Sequence, residues 1–500
     1  MHRPRLHLVG LVLVGLLATF VSPAVLAASD SGGPMIVYLK APATADQIAK
    51  LQATGLNVGV AYKNFAAVSG NLPQGRLASV ASLDFVVAIR TDGLRTLHGA
   101  PFRNGGNSTP IPINLTYNLD FIDRENTAAR GEGVYVAVLD AGLLPNWRDY
   151  LSTSRVRVDL GRSFTGANGN PTPDQLQQDR GGHGTAVAAT IIGYRLYDKS
   201  ETGQFFAQPA TGTKGTYSVP GVAPEATIIP VRVCDIGAYC WDSSIFSALD
   251  YVVGLKLGTE ANGELRGAPI VVNLSLGGPS SSVEEENVYK AVTAAGVLVV
   301  ASAGNSGDAG MGWPGAYPVV ISVAAGGWRK QFYGAETTLN NQWWMDDVPE
   351  GEASIAEWFT VWWSSREYAD RGQELDVTAT GRFMLLPYLY SGGRSTPPPD
   401  PTPADGIPSE YTYISGTSFS SPTTAGVVAL MLSVDASLTQ AQAESILRST
   451  ALPIPADTWD AGFPFPARNA WDASKSLGGA GTKTGWGLVQ ADAAVVAASA

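Results

Sequence analysis

Five unbroken apolar runs do most to limit what this chain can fold into. They are VYVAVLD (134–140), TIIPVRV (227–233), PIVVNLSL (269–276), VLVVASAGN (297–305) and VVISVAA (319–325), separated by stretches of helical character. Strands with one wet face alternate apolar and polar residues. These runs do not alternate, which is expected of parallel strands covered on both faces. Strands and helices in turn predict an α/β fold, a central parallel sheet with helices on both sides. The block runs from about residue 120 to 500. Residues 327–368 interrupt it with six of the chain's twelve tryptophans, and residues 391–409 are Pro-rich and read as a loop.

The chain ahead of this block reads differently. His2, Arg3 and Arg5 precede an apolar stretch from Leu8 to Val21, and Val25-Leu26-Ala27 offers a cleavage site. This pattern predicts a signal peptide over 1–27 and a secreted, extracellular product. The apolar stretch is shorter than the ~20 residues of a membrane span, and none is expected in the mature chain. Residues 28–93 follow the order βαββαβ. Thr44 and Gln47 form a capping box for the first helix, and Leu77 and Val80 mark the second. The order predicts a small ferredoxin-like α+β unit. Residues 94–119, rich in Gly, Pro and Asn, read as an exposed linker.

Composition removes some functions. The chain has 33 basic and 44 acidic residues, a net charge of −11. A nucleic-acid binder normally carries a basic stripe, so no nucleic-acid partner is expected. Cys234 and Cys240 are the only cysteines. In an exported chain they predict a local disulfide. They make a poor zinc site, because no nearby His completes a tetrahedral shell. Asn107 and Asn114 begin glycosylation sequons in the linker. Asn273 begins a third, but inside a predicted core strand.

Four histidines narrow the search for chemistry. His2 and His7 leave with the signal peptide, His98 lies in the linker, and His183 sits in DRGGHGTAVAATIIG at a helix start. Asp140 ends the first apolar run, where open α/β sheets place their chemistry. Ser418 opens an apolar helix in GTSFSSP, at the positive end of its dipole. Asn305 ends the fourth run and can donate to a developing oxyanion. Each has an ordinary structural reading as a cap, a turn or a packing residue. Their joint occurrence, in the order Asp, His, Ser, is more specific.

With LDAG, GGHGTAVA, GVAPEATIIPVRV, VVNLSLGG, AGNSG, GWPGAYP, ELDV and GTSFSSP in sequence, residues 120–500 resemble the subtilisin family over nearly their whole length. The closing GWGLVQADAAV resembles its C-terminal segment. The resemblance implies a subtilisin-like catalytic domain and a secreted serine endopeptidase acting on polypeptide substrates. Ser418 would be the nucleophile, His183 the base and then acid, and Asp140 the orienting carboxylate. Asn305 and the Ser418 backbone N–H would form the oxyanion hole. Ser275, Leu276, Gly277 and Gly278 would pair with extended substrate. Gly312 would leave a deep pocket for a large apolar residue before the scissile bond. Trp313–Pro314 is expected to be cis. Residues 28–93 would be an inhibitory propeptide, released by cleavage in 94–119.

No cofactor is implied for the chemistry. A structural calcium is conceivable by resemblance, with Asp149 its candidate ligand, but no matching ligand loop follows His183. Two departures stand out. Phe419 follows the nucleophile where many relatives carry Met, and PTTAG replaces the usual PHVAG. Two alternatives stay open, a protease with a narrow processing role and an inactive relative that only binds. The intact Asp140, His183, Ser418 and Asn305 argue against the second. The related acid peptidases, which replace the histidine with a carboxylate, are excluded by His183.

Overall fold

The computed structural model describes residues 32–98, 100–102, 116–197, 216–235, 237–328, 355, 358–388, 411–454 and 484–500. The predicted signal peptide, Asn107, Asn114 and the Pro-rich loop 391–409 lie outside them, as does most of the Trp-rich insertion. Among the described residues no helix is long and apolar enough to cross a membrane.

The first unit contains β1 (Gly33–Leu39), α1 (Ala45–Ala53), β2 (Asn57–Ala61), β3 (Ala67–Leu72), α2 (Leu77–Ala81) and β4 (Val86–Thr91). Its strands pair antiparallel in the order β2-β3-β1-β4. The capping box fixes the start of α1: Gln47 N donates to Thr44 Oγ1 (3.3 Å), and Thr44 N to Gln47 Oε1 (3.0 Å). One sheet face and the helices enclose a small core of Met35, Val37, Leu51, Val68 and Ile89. The alternate residues, Ile36, Tyr38 and Ala67, face the large unit, as a period of two dictates.

The chain then forms β5 (Leu94–Leu97), β6 (Ala100–Phe102) and a short α3 (Tyr117–Asp120). The large unit opens with β7 (Tyr135–Asp140), α4 (Trp147–Tyr150) and β8 (Arg162–Ser163). Next come α5 (His183–Ile192), the antiparallel pair β9 (Gly193–Tyr197) and β10 (Thr216–Pro220), then β11 (Thr227–Arg232) and β12 (Tyr239–Trp241). They are followed by α6 (Asp242–Leu257), β13 (Ile270–Leu274), β14 (Leu276–Gly277) and α7 (Val283–Ala294). The remaining elements are β15 (Val297–Ser302), β16 (Ile321–Trp328), β17 (Trp358–Thr360), β18 (Val377–Thr380), β19 (Met384–Pro387), β20 (Tyr411–Ser415), α8 (Thr417–Val434), α9 (Gln440–Thr450) and α10 (Ala491–Ala498).

The five apolar runs become β7, β11, β13, β15 and β16, neighbours in one sheet of order β17-β16-β15-β13-β7-β11-β8. All of these pairings are parallel except β17 on β16; β18 also joins β16 in parallel. α5, α8 and α10 pack on one face, α6 and α7 on the other. Described residues near both ends of the Trp-rich insertion reach the core. Trp328 and Trp358 are fully buried and pack edge-on to Phe121, whereas Trp362 is half exposed.

The exposed-linker reading of 94–119 needs correction at its start. β5 lies between β12 and β14, antiparallel to both, and β6 pairs with β20. Arg95 and His98 are buried. An extended backbone leaves its N–H and C=O groups unpaired, and here strand edges on both sides supply partners.

Candidate active site

Asp140 ends β7 with its carboxylate fully buried, and both carboxylate oxygens lie 2.9 Å from His183 Nδ1. The approach depends on a glycine. A Cβ on Gly184 would lie 2.2 Å from the Gly142 carbonyl, so only glycine lets the first turn of α5 press against the exit of β7. Asp179 shapes the preceding loop by accepting from Gly181 N (2.9 Å). Among the described residues, His183 Nε2 is buried without a hydrogen-bond partner. Phe419 lies beside the imidazole, ring centroids 5.5 Å apart.

Ser418 is the second residue of α8. Pro422 lies four residues further on and has no N–H, so it cannot serve the Ser418 carbonyl. Ser275 Oγ donates to that carbonyl instead (2.8 Å), while Ser418 Oγ donates to the Ser275 carbonyl (2.9 Å). The exchange ties the head of α8 to the exit of β13. Asn273 is fully buried and bonds Ser275 and Ser421 (2.9 and 2.8 Å), which removes its sequon from any surface.

Asn305 follows β15, and its amide is oriented by Thr417. Thr417 N and Oγ1 both donate to Asn305 Oδ1, at 3.0 and 2.9 Å. That leaves Nδ2 aimed into the cleft, where it donates to the carbonyl oxygen of His98. Ser418 N points at the same oxygen from 3.4 Å. His98 N donates in turn to the Ser275 carbonyl (3.1 Å). Upstream, Leu97 pairs with Leu276 and Thr96 with Gly277. On the other edge Thr96, Arg95 and Leu94 pair with Tyr239, Cys240 and Trp241. The chain's own segment 94–98 thus lies along the cleft as an extended peptide.

The His98 ring occupies a pocket beside Gly277, Gly304 and Gly312. A Cβ on Gly277 would come within 2.6 Å of His98 Cε1, and one on Gly312 within 3.5 Å. Ser302 Oγ is hydrogen-bonded to His98 Nδ1 at 2.7 Å. Burial, with the nearby His183 and Arg95, pushes the His98 pKa down to about 4. The ring is therefore neutral where it sits. Gly278 bridges Trp313, and the Trp313–Pro314 peptide is cis. Cys234 and Cys240 are joined by a disulfide beside β12.

Asp149 lies on α4, away from any cluster of three metal-ligating side chains among the described residues. The one such cluster, Glu374, Asp376 and Glu444, surrounds Arg448, whose guanidinium pairs with all three. These carboxylates already have their cation, so they do not fit a calcium site.

Sequence reasoning singled out Asp140, His183, Ser418, Asn305 and the Ser275–Gly278 wall, and the structure brings them around one cleft. It missed Thr417, Ser302 and the cleft segment itself. One signal was present: Leu94-Arg95-Thr96-Leu97 alternates like a strand directly after β4, before the glycines begin.

Comparison with known proteins agrees with this architecture. The pattern of the subtilase family matches residues 131–487. Subtilisin E of Bacillus subtilis (strain 168) is 27% identical over 328 residues, 64% of this chain and 61% of that protein. An intracellular serine protease of Paenibacillus polymyxa is 27% identical over 311 residues, 60% of this chain and 67% of that one. The chain therefore spans about 61% of the length of subtilisin E. Among solved structures, fervidolysin from Fervidobacterium pennivorans, a keratinolytic enzyme related to subtilisin, has a TM-score of 0.59 at 21% identity. That match covers 93% of this chain and 61% of fervidolysin. Sphericase has a TM-score of 0.50 at 21% identity, covering 75% of this chain and 98% of its own. The two structural likenesses speak for the fold. With the family pattern running from before β7 to beyond α9, the chain belongs to the subtilase family.

Proposed function

We propose that this chain is the proenzyme of an exported serine endopeptidase that cuts itself after His98. One observation carries the reading: the His98 carbonyl oxygen accepts from Asn305 Nδ2 and faces Ser418 N. Donors converging on one carbonyl oxygen are what a tetrahedral oxyanion needs. The bond to be cut is then His98–Gly99.

The reaction follows from the groups around that carbonyl. The Ser418 hydroxyl turns from the Ser275 carbonyl to the free Nε2 of His183, gives up its proton and attacks the His98 carbon. Asp140 holds Nδ1–H and stabilises the imidazolium. As the C–N bond breaks, Nε2 passes the proton to the Gly99 nitrogen, and His98 is left as an ester on Ser418. Water, deprotonated by His183, hydrolyses the ester to a His98 carboxylate and restores the serine. The nucleophile, base and oxyanion donors all belong to the chain itself.

Residues 28–93 act as the inhibitory segment in this scheme. Tyr38 and Tyr62 pack edge-on to Phe246 of α6 (6.5 and 6.0 Å), and β4 leads directly to the segment in the cleft. The charged and then apolar beginning of the sequence supports export, as does the Cys234–Cys240 disulfide. A large apolar residue before the scissile bond was the expectation from Gly312. The Ser302–His98 hydrogen bond favours a neutral imidazole there instead.

A fluorophosphonate tests the activity. It should label Ser418 of the matured protein, and denatured casein should be degraded, with both lost in His183→Ala. A matured protein that does neither contradicts the proposal.

A further inference from the structure

We propose that Asp242 and Glu285 form a recognition site for an arginine lying three residues upstream of the one whose carbonyl is attacked, so that substrates are read as Arg-x-x-His. This rests on the reading of His98 as the residue before the scissile bond.

Arg95 stands three residues before His98 and is 1% exposed. Its Nε donates to Asp242 Oδ1 (2.7 Å), and one terminal nitrogen to Asp242 Oδ2 (3.3 Å) and to Glu285 Oε2 (2.8 Å). The other donates to the carbonyls of Ser280 and Trp313, at 2.8 and 3.0 Å. All three guanidinium nitrogens are engaged, two carboxylates balance the charge, and one of them binds it as a fork. A lysine ammonium has neither the fork nor the reach to both carbonyls. Burial opposes the charged guanidinium, but Glu285 and Asp242 outweigh it and hold the Arg95 pKa above its usual value.

The pocket belongs to the large unit. Asp242 opens α6 and Glu285 lies in the first turn of α7, where Ser282 Oγ caps it by accepting from Glu285 N (3.0 Å). Tyr317 Oη donates to Glu285 Oε2 (2.9 Å). These contacts hold the Glu285 carboxylate in place independently of the cleft segment, and the start of α6 places Asp242. When residues 94–98 depart, two acids remain at the far end of the cleft without this cation. Burial and the nearby Asp242 push the Glu285 carboxyl above its usual range, against the pull of Arg95. An arriving arginine restores the pair, an acidic residue meets like charge, and an aliphatic one leaves both acids unanswered. Extended pairing along β12 and β14 fixes the spacing. Side chains three residues apart in such a strand are set by the backbone register, so the arginine and the His98 ring are read together.

The test uses the matured enzyme obtained from the full chain and needs no variant at first. Peptides based on Leu-Arg-Thr-Leu-His-Gly-Ala-Pro-Phe carry Arg, Lys, Leu or Glu at the second position, and mass spectrometry reads the bond cut. The proposal expects cleavage after His, with kcat/KM for Arg about 100-fold above Leu, Lys between them and Glu lowest. In Asp242→Asn/Glu285→Gln the Arg-to-Leu ratio falls to about one or below. Cleavage after His with Arg and Leu within about threefold of each other in the wild type overturns the arginine site alone. Cleavage at another bond overturns the docking register, and the arginine site with it.

Discussion

The His98 carbonyl oxygen is held by the side-chain amide of Asn305, a residue 207 positions away that itself is oriented by Thr417. Substituting Asn305 by Ala removes one of two donors from the oxyanion. In subtilisin the loss of such an amide costs about 100- to 1000-fold in kcat, and the same range is expected here, with KM nearly unchanged. Steady-state kinetics on a peptide cut after His checks it. A matching rise in KM would point to ground-state binding instead.

Ser302→Ala leaves the buried Nδ1 of a histidine before the scissile bond without its partner. An unsatisfied buried polar atom costs ~1–3 kcal/mol, so kcat/KM for a His peptide should fall about tenfold or more. The matching Phe peptide should be cut at least as well as by the wild type. Paired assays of the two peptides give the answer directly.

The His98 pKa of about 4 in the cleft sets a pH dependence. A free histidine titrates near 6.5, so its neutral form is the one that binds. Docking is therefore favoured above pH 6.5 and weakens as pH falls toward 4. The kcat/KM ratio of His to Leu peptides should drop about thirtyfold between pH 7.5 and 5. Taking the ratio cancels every pH effect common to both substrates. It also avoids Asp92, which burial pushes up to about 6 and which shifts the whole cleft segment in the opposite sense.

Cys234 and Cys240 close a short loop beside β12, the strand that pairs with Arg95. Replacing both by Ser should lower stability by about 2 kcal/mol, the entropy of a loop this small. KM for the Arg-x-x-His peptide should rise more than kcat falls, because β12 is a binding edge and not part of the Asp140–His183–Ser418 group. Urea unfolding and kinetics on the double variant separate the two effects.

The sheet and most of the groups proposed to react were legible because local sequence encodes their placement. Apolar runs mark β7 to β16, and glycines on either side of His183 announce the close approach to Asp140. Arg95 and His98 were not legible as site residues. Their partners Asp242, Glu285 and Asn305 lie 147, 190 and 207 residues away, and only the assembled cleft joins them. The same holds for Ser275, whose hydroxyl replaces the donor that Pro422 lacks. The glycine-rich stretch after His98 drew the linker boundary too early, since the four residues before it continue as strand.

Intact mass of the protein, wild type beside Ser418→Ala, tests the central claim most directly. The account predicts that the wild type is cut between His98 and Gly99, giving a mature chain that begins at Gly99, while the Ser418→Ala protein keeps that bond. A wild type cut elsewhere, or a Ser418→Ala protein cut equally at His98–Gly99, would contradict it.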